Sequence, residues 1–415
     1  MRRRLMLLLV LALLFCCAAC GQSGMEEGSF PHQETTALEQ AEERVEILPI
    51  GISGEVSIAM PFRGGYLAQS YDRQDEAGAI SLLDSEGQAL WTYKVEGCSE
   101  GMIPVGDGLI LLKGIKRAYT ALDGEGHELW RRQVGDDYYK PEVFLPDHAG
   151  GAYAFGPEFL TGMQQCQRWH ITANGEVRGP EPYTEIPNCS VLSGWAGEDG
   201  EYWLEVISGG AGEPRWMARL DENLRPLARF ELKKNQYPHP AFFPEANRIL
   251  LFGQAYRGSG HDGDLQEYGC LYEIDYDCNL IHSETFEGMV PNGVARLKDG
   301  RWVVSFYTRD NAVLDPVYLY SPDWKQKMEI KIDYAFTSII ALEDGGFVIL
   351  GLRLAEGQHE SALYINSRRP KMDTIYSRYN AAGELLSEKT FYAKDSESGY
   401  GFYVLVDTQG RVLTE

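Results

Sequence analysis

One small acidic cluster is the first group of side chains in this sequence whose types and spacing suggest chemistry. Asp262, Asp264 and Glu267 lie close together in one segment. Clustered carboxylates are the ligands that hard cations such as Ca²⁺ prefer. The segment lacks the glutamate that completes an EF-hand loop, and solvated acidic loops are common in an acidic chain. We therefore expect no metal site there.

A basic cluster is the second such group. Arg368, Arg369 and Lys371 stand together in a chain that has 38 basic and 61 acidic residues. Guanidinium and ammonium groups bind carboxylates through charge-assisted hydrogen bonds, so the cluster is a candidate contact for an acidic partner. A solvated loop beside Pro370 is the alternative interpretation.

No catalytic set is indicated. The eight histidines are scattered with no pair at ligand spacing, and no stretch resembles a nucleophile elbow or a phosphate-binding loop. Asp275, Asp277 and Asn279 begin like a calcium-binding loop, but Leu280 stands where a glycine is needed, so we interpret them as turn formers. We expect neither catalytic residues nor a bound metal or cofactor.

The elements that must position these side chains are short strands joined by tight turns. From residue 45 onward, β-rich runs alternate with Gly, Asp or Asn turns, and no stretch has a helical period. The turns form two interleaved series. The first contains Gly65, Gly108, Gly151, Gly200, Asn247, Gly300, Gly345 and Gly410. The second contains Gly87, Gly126, Gly175, Asn223, Asn279, Asp323 and Gly383.

Two tight hairpins in each repeat of about 45–50 residues mean four antiparallel strands, which is the content of one propeller blade. The sequence therefore predicts an all-β domain over residues 45–415, a β-propeller of seven to eight four-stranded blades. The chain ends just after the eighth turn of the first series, so the last blade lacks outer strands. Residues 45–50 (VEILPI) form an apolar strand without a repeat of its own.

We expect this N-terminal strand to complete the last blade, because an unpaired apolar edge is an aggregation hazard. Eight blades are therefore favoured. Seven full blades with residues 400–415 as an appendage, or a chain truncated at its C-terminus, are the alternatives.

Two turns carry a more specific motif. The strings DSEGQALW and DGEGHELW share the pattern Asp-x-x-Gly-x-x-x-Trp, which resembles the repeat of pyrroloquinoline-quinone-type, WD-repeat-like β-propellers. The resemblance implies that each Trp lies on an outer strand and packs against the neighbouring blade. Later repeats have Gly179, Ala228 and Ser387 at the Trp position. The predicted structural residues are Asp84, Gly87, Trp91, Asp123, Gly126 and Trp130.

The connections on the face opposite the tight turns are long, and long loops usually carry function. The longest span residues 254–269 and 354–376. Tyr364 offers an aromatic ring on which a sugar can stack. The predicted binding face comprises Tyr256, Arg257, Tyr307, Arg368, Arg369 and Lys371.

The N-terminus has the pattern of an export signal. Three arginines precede an apolar run over residues 5–19, shorter than the about 20 residues that span a bilayer. The run ends in Ala18, Ala19 and Cys20, which resembles the lipobox of bacterial lipoproteins, although Cys17 stands where that family has Leu. The resemblance implies removal of residues 1–19 and acylation of Cys20, for example with palmitate. A plain signal peptide cut near Ala19 is the alternative.

Residues 20–44 are polar, acidic and aperiodic, so we expect a lipid anchor followed by a flexible tether. Without residues 1–19, 35 basic residues face 61 acidic ones, a net charge of −26. Such a surface repels phosphate backbones, so a nucleic-acid partner is not expected. Besides Cys20, five cysteines remain, an odd number that leaves at least one thiol unpaired. We expect no disulfide between Cys270 and Cys278, because one extended strand separates them.

These features favour an extracytoplasmic lipoprotein of a bacterial cell envelope, held at the membrane only by its lipid. Its propeller would be a non-enzymatic binding platform for protein or glycan partners, an inference by analogy of fold. One alternative is a quinone-dependent dehydrogenase. That family uses an adjacent Cys-Cys disulfide and a calcium ion, but the adjacent pair here, Cys16 and Cys17, lies in the segment to be removed. The other alternative is a glycan-active enzyme or lectin.

The anchor predicts the behaviour of a Cys20→Ser variant. Without the thiol, no acyl chain can be attached, so the protein should be unlipidated and either uncleaved or released, and its distribution in a detergent phase-partitioning experiment should change. Partitioning equal to that of the wild type would contradict lipidation at Cys20.

Overall fold

The computed structural model describes residues 45–52, 55–72, 77–95, 101–105, 109–113, 118–135, 141–157, 165–197, 200–208, 214–258, 266–308, 316–356, 371–393 and 404–414. The predicted signal peptide, Cys20 and the predicted tether lie outside them.

The described strands form eight sheets arranged as the blades of a ring, so the chain is an all-β, eight-bladed β-propeller. Strand β1 (Ile47–Pro49) comes first in the chain but belongs to the last blade. Blade 1 contains β2 (Glu55–Phe62), β3 (Gly65–Asp72), β4 (Ala77–Leu83) and β5 (Ala89–Val95). Blade 2 contains β6 (Gly101–Val105), β7 (Leu109–Lys113), β8 (Ala118–Leu122) and β9 (Glu128–Gln133). Blade 3 contains β10 (Val143–Pro146), β11 (Ala152–Pro157), β12 (Cys166–Ile171) and β13 (Val177–Pro182).

The same order continues through the second half. Blade 4 contains β14 (Cys189–Ala196), β15 (Tyr202–Ser208), β16 (Arg215–Leu220) and β17 (Pro226–Glu231). Blade 5 contains β18 (Gln236–Phe243), β19 (Arg248–Arg257), β20 (Gln266–Ile274) and β21 (Leu280–Glu287). Blade 6 contains β22 (Met289–Arg296), β23 (Trp302–Thr308), β24 (Val317–Tyr320) and β25 (Lys327–Ile330). Blade 7 contains β26 (Ala335–Ala341), β27 (Phe347–Leu354), β28 (Met372–Tyr379) and β29 (Leu385–Phe391). Blade 8 contains β30 (Val404–Val406) and β31 (Val412–Thr414), which pair with each other, and β31 also pairs with β1.

Blades 1 to 7 are antiparallel meanders in which sequence order equals spatial order. First strands of several successive blades contact each other, namely β6 with β10, β10 with β14 and β22 with β26, which places them around the axis. The outer strands are largely exposed. Within the described residues, one complete 3₁₀ turn occurs, Pro244–Ala246.

The core is divided among the blade interfaces. Eight clusters of buried apolar side chains occur in the described residues, and each joins two neighbouring blades. An inner strand is therefore covered on both faces, and β15 and β27 read as nearly continuous apolar runs for that reason. This arrangement is stable only if the first and last blades also meet.

The predicted closure by the N-terminal strand is confirmed. Strand β1 pairs with β31, and the direction of this pair is parallel, unlike all pairs in blades 1 to 7. The chain then crosses to blade 1, where Gly51 N donates to Gly87 O at 2.8 Å. Ile50 is buried in the cluster between blades 8 and 1. In the described residues, blade 8 has three strands.

Closure predicts the effect of deleting residues 45–50. The deletion exposes the edge of β31 and removes Leu48 and Ile50 from the interface, so the free energy of unfolding should fall by at least about 3 kcal/mol. Thermal unfolding followed by circular dichroism measures this. Deletion of residues 21–44 is the matched control and should leave the melting temperature unchanged; equal melting of both variants would show that the ring closes without β1.

Candidate functional site

The tight turns within the described residues lie at one end of the blades, and side chains of this tight-turn face make contacts between blades. In each second-series turn a polar side chain at the first position accepts backbone hydrogen bonds. Asp84 Oδ1, for example, accepts from Glu86 N and Gln88 N at 2.9 Å each. The position of positive φ that follows is glycine in four of the seven turns, as at Gly87 (79°), and Leu224, Cys278 and Trp324 adopt positive φ in the other three. The predicted residues Asp84, Gly87 and Asp123 thus shape turns.

The two motif tryptophans wedge against the next blade. Trp91 Nε1 donates to Gly124 O at 3.0 Å, and a Cβ at Gly126 would lie 2.5 Å from the Trp91 ring. Trp130 has the same relation to Gly175, with the same distance. Each Trp therefore fills a space that the glycine of the following turn leaves open.

The later blades have side chains of other sizes at the wedge position and at the turn position of the next blade. Four later wedge positions lack Trp, and in three of these cases the turn position of the next blade holds a residue larger than glycine. At the interface of blades 5 and 6 the order is reversed, because the His282 ring stacks on Trp324 with centroids 5.1 Å apart. Met328 again packs against a glycine, Gly383. The wedge and turn residues in contact are Trp91/Gly126, Trp130/Gly175, His282/Trp324 and Met328/Gly383. The sequence places Gly179/Leu224 and Ala228/Cys278 at the corresponding positions.

Ion pairs on the tight-turn face also join blades. Arg411 donates to Asp407 Oδ2 at 2.7 Å in its own turn and to Glu86 Oε1 at 2.8 Å in blade 1. Arg219 lies 2.6 Å from both Glu201 and Asp277, which belong to blades 4 and 5. These bonds raise the pKa of both guanidinium groups above the ordinary value, with Glu86 the largest cause for Arg411. The charges of these two arginines on the tight-turn face are therefore already paired with carboxylates of the protein itself.

The opposite face, here called the long-connection face, carries the described members of the predicted binding set. Tyr256 and Arg257 are the last residues of β19, and Tyr307 lies near the end of β23. The expectation that they belong to loops is wrong, because regular pairing continues further, with Tyr256 opposite Glu267. The connections are correspondingly shorter than predicted.

Tyr256 and Tyr307 come together on one carboxylate. The Tyr256 hydroxyl donates to Glu267 Oε1 at 3.3 Å, and the Tyr307 hydroxyl lies 3.1 Å from the same oxygen and 3.4 Å from Gln254 Oε1. The Tyr237 ring meets the Tyr256 ring edge-on, with centroids 5.9 Å apart. We call these five residues the tyrosine cluster. It joins blade 5 to blade 6.

The cluster continues into blade 4 through a buried ion pair. The Arg215 guanidinium lies 4.7 Å from the centre of the Tyr237 ring and donates to Glu205 Oε1 at 2.7 Å. Glu205 is buried, and Ser193 Oγ donates to its other oxygen at 2.6 Å. Sequence reasoning missed Arg215, Glu205 and Tyr237. The positions of Arg215 and Tyr237 at strand ends beside long connections were the available signal, and Glu205, in the middle of β15, had none.

The other candidate residues of this face lie either apart from the tyrosine cluster or outside the described residues. Arg257 pairs with Glu287 at 2.6 Å and covers the Tyr268 ring at 4.3 Å, so its charge is already matched. Lys371 is exposed just before β28. Arg368, Arg369, Tyr364, Asp262 and Asp264 lie outside the described residues, and the basic cluster is therefore untested.

The chemistry that the cluster offers is amphipathic. Half-buried tyrosine rings present apolar edges, while their hydroxyls and Glu267 present hydrogen-bonding groups. Such surfaces bind peptides and sugars. The described part of the chain contains no group of three His, Cys, Asp or Glu side chains placed to hold a metal ion. It also contains no helix that is both long and apolar enough to cross a bilayer.

Comparisons with known proteins give a fold likeness at low identity. No family model matches the sequence, and no curated protein matches it. BamB from Moraxella catarrhalis is 12% identical, with 74% of this chain and 82% of that chain covered at a TM-score of 0.38. A protein of unknown function from Bacteroides caccae is 11% identical, with 81% and 94% covered at 0.33. The computationally designed Ika8 protein is 11% identical, with 89% and 98% covered at 0.47. Because these scores are below 0.5, the fold rests on the strand pairing above.

The wedge predicts a difference between two glycine substitutions. Gly126→Ala and Gly64→Ala both place a Cβ at positive φ (82° and 76°), which costs roughly 1–2 kcal/mol in either case. At Gly126 the new methyl group also collides with Trp91, whereas nothing lies within 4 Å at Gly64. Gly126→Ala should therefore lower the free energy of unfolding by about 1–3 kcal/mol more, measured by denaturant titration. Equal losses would exclude the wedge as a constraint.

Proposed function

We propose that this chain is an extracytoplasmic lipoprotein, anchored through Cys20, whose propeller binds a protein partner of the bacterial cell envelope without catalysing a reaction. The observation that carries the proposal is the different use of the two faces. On the tight-turn face, Arg411 and Arg219 join neighbouring blades. On the long-connection face, the tyrosine cluster brings together aromatic and polar groups from two blades.

The path of the chain into the propeller also favours the long-connection face as the binding surface. Strand β31 begins directly after the tight turn of blade 8, and β1 runs parallel to it. Val412 N donates to Glu46 O at 2.9 Å, so the chain enters the propeller from the tight-turn end. The predicted tether over residues 20–44, as a random coil, would have an end-to-end distance of about 25–30 Å. A lipid at Cys20 would then hold the tight-turn face nearer the membrane and leave the long-connection face directed away.

The tyrosines are suitable anchors for a protein partner. Aromatic residues concentrate binding energy in protein interfaces because they bury a large area with few rotatable bonds. Tyr237 and Tyr256 already contact each other edge-on, and Arg215 covers one ring of the pair. A preorganised group of this kind loses little conformational entropy on binding.

A glycan is the second candidate ligand, and a specific observation favours it. Tyr256 and Tyr307 place hydroxyls on one carboxylate oxygen beside half-buried rings. Sugars offer a matching combination of hydroxyl groups and apolar C–H faces. A glycan array distinguishes the two candidates: specific glycan binding that disappears in the tyrosine variant described below would replace the protein partner with a glycan.

The proposal predicts the effect of a Tyr256→Ala/Tyr307→Ala double variant. Loss of two aromatic anchors should weaken capture of the envelope partner at least about tenfold, while a melting temperature close to that of the wild type shows that the ring is intact. Capture from solubilised envelopes, followed by mass spectrometry and titration, measures the change.

The matched control lies on the tight-turn face. Glu125→Ala/His127→Ala removes two exposed side chains there, with side-chain exposures of 67% and 77%, and should bind like the wild type. Unchanged binding by both variants would mean that the long-connection face is not used at the cluster. A loss in the control alone would move the binding surface to the tight-turn face.

A further inference from the structure

Two buried thiols meet at the interface between blades 3 and 4. Cys166 is the first residue of β12, and Cys189 is the first residue of β14. Both are fully buried in the same apolar cluster, and strand β12 contacts strand β14 there. Cys189 Sγ donates to Ile186 O at 3.0 Å, and Cys166 Sγ donates to Gln167 O at 3.5 Å. Both are free thiols in this structure. The strands begin at the long-connection end of their blades, so the pair lies beneath that face.

The backbone around the pair is held by hydrogen bonds from the preceding residues. The Gln165 side chain donates to Tyr183 O at 2.9 Å and accepts from Asn188 N at 3.4 Å. Tyr183 N donates to Cys166 O at 2.8 Å. These bonds tie the residue before one cysteine to the residue before the other. Disulfide formation requires this kind of close approach between two backbone segments.

We propose that Cys166 and Cys189 form a disulfide bond while blades 3 and 4 close during folding. The proposal rests on the proposed function in one respect, the extracytoplasmic location in which disulfides persist. Among the described cysteines, Cys270 and Cys278 are the comparison pair. They lie in one blade, in β20 and in the turn that follows it, and both are free thiols.

The chemistry is thiol–disulfide exchange with an oxidant that itself carries a disulfide, such as an oxidised dithiol protein or oxidised glutathione. One cysteine thiolate attacks a sulfur of the oxidant, whose S–S bond breaks to give a mixed disulfide and one thiolate. The second cysteine thiolate attacks the mixed disulfide and releases the other thiolate. The two protons lost by the cysteines protonate the two released thiolates. One S–S bond forms, one breaks, and the oxidant is reduced by two electrons.

The burial of the pair determines when the reaction occurs. Exchange requires a thiolate. Contact with the Cys166 thiol, together with burial, raises the pKa of the Cys189 thiol far above its ordinary range. Burial also excludes a large oxidant from both sulfurs. The folded, reduced protein should therefore resist oxidation, whereas the folding chain should not.

The experiment compares three samples of the full chain: protein isolated from the cell envelope, protein unfolded, reduced and refolded with oxidised glutathione, and folded reduced protein incubated with the same reagent. Free thiols are alkylated in denaturant without reductant, and peptides are mapped by mass spectrometry. We expect a Cys166–Cys189 cross-link in the first two samples and at least about hundredfold slower cross-linking in the third. Cys270→Ser, the matched control, should keep the cross-link, and Cys166→Ser should leave Cys189 alkylated.

The outcomes separate this proposal from the proposed function. Alkylation of both thiols after refolding would overturn the pairing and leave the proposed location untouched. A cross-link after refolding combined with free thiols in the envelope sample would overturn both the disulfide in the cell and the extracytoplasmic location. Oxidation of the folded reduced protein at the rate of the refolding chain would overturn the proposed timing.

Discussion

Closure of the ring by residues 46–52 is the interaction on which the rest of this structure depends. Every blade is a thin sheet whose two faces are apolar, so each needs a neighbour on both sides. Seven interfaces form between blades that follow each other in sequence, but the eighth joins the two ends of the chain. Val412 N to Glu46 O, Ile50 N to Thr414 O and Gly51 N to Gly87 O bind the N-terminal segment first to blade 8 and then to blade 1. Arg411 adds an ion pair across the same interface.

The closure also gives the two faces different tasks. Because tight turns meet the next blade through wedge residues and ion pairs, the chemistry of that face is constrained by the spacing of the blades. The gap between neighbouring blades is filled in both cases, by the outer-strand residue Trp91 over Gly126 and by the turn residue Trp324 against His282. On the long-connection face, Tyr256 and Tyr307 meet across blades 5 and 6 on the Glu267 carboxylate.

Much of the fold could be predicted from sequence because tight turns need particular residues. Gly87 and Gly126 adopt positive φ, and Asp84 accepts the backbone hydrogen bonds of its turn, so the blade period is written in local residue types. The apolar strand at residues 45–50 could be predicted to complete the last blade, because it has no repeat of its own. Its parallel direction could not, because a short apolar strand contains no signal for the direction of its partner.

The candidate site was less accessible from sequence. Tyr256 and Tyr307 were identified by their nearness to long connections, yet Tyr237 and Arg215 join them across blades with no local pattern. The proximity of Cys166 and Cys189 also has no local sequence pattern, because it depends on the approach of two blades. Gly179 stands at the position of a lost tryptophan, and the burial of Leu224 in the same interface had no sequence signal.

Native-state hydrogen exchange at the closing strand tests the central claim most directly. Amides that donate across the closure, those of Ile50, Gly51 and Val412, should exchange only when the whole propeller unfolds. Their opening free energies should then equal that of β19 in the centre of blade 5, and denaturant should reduce both with the same slope. Fast exchange of these three amides at a low, denaturant-independent opening free energy, with β19 still protected, would contradict closure by the N-terminal strand.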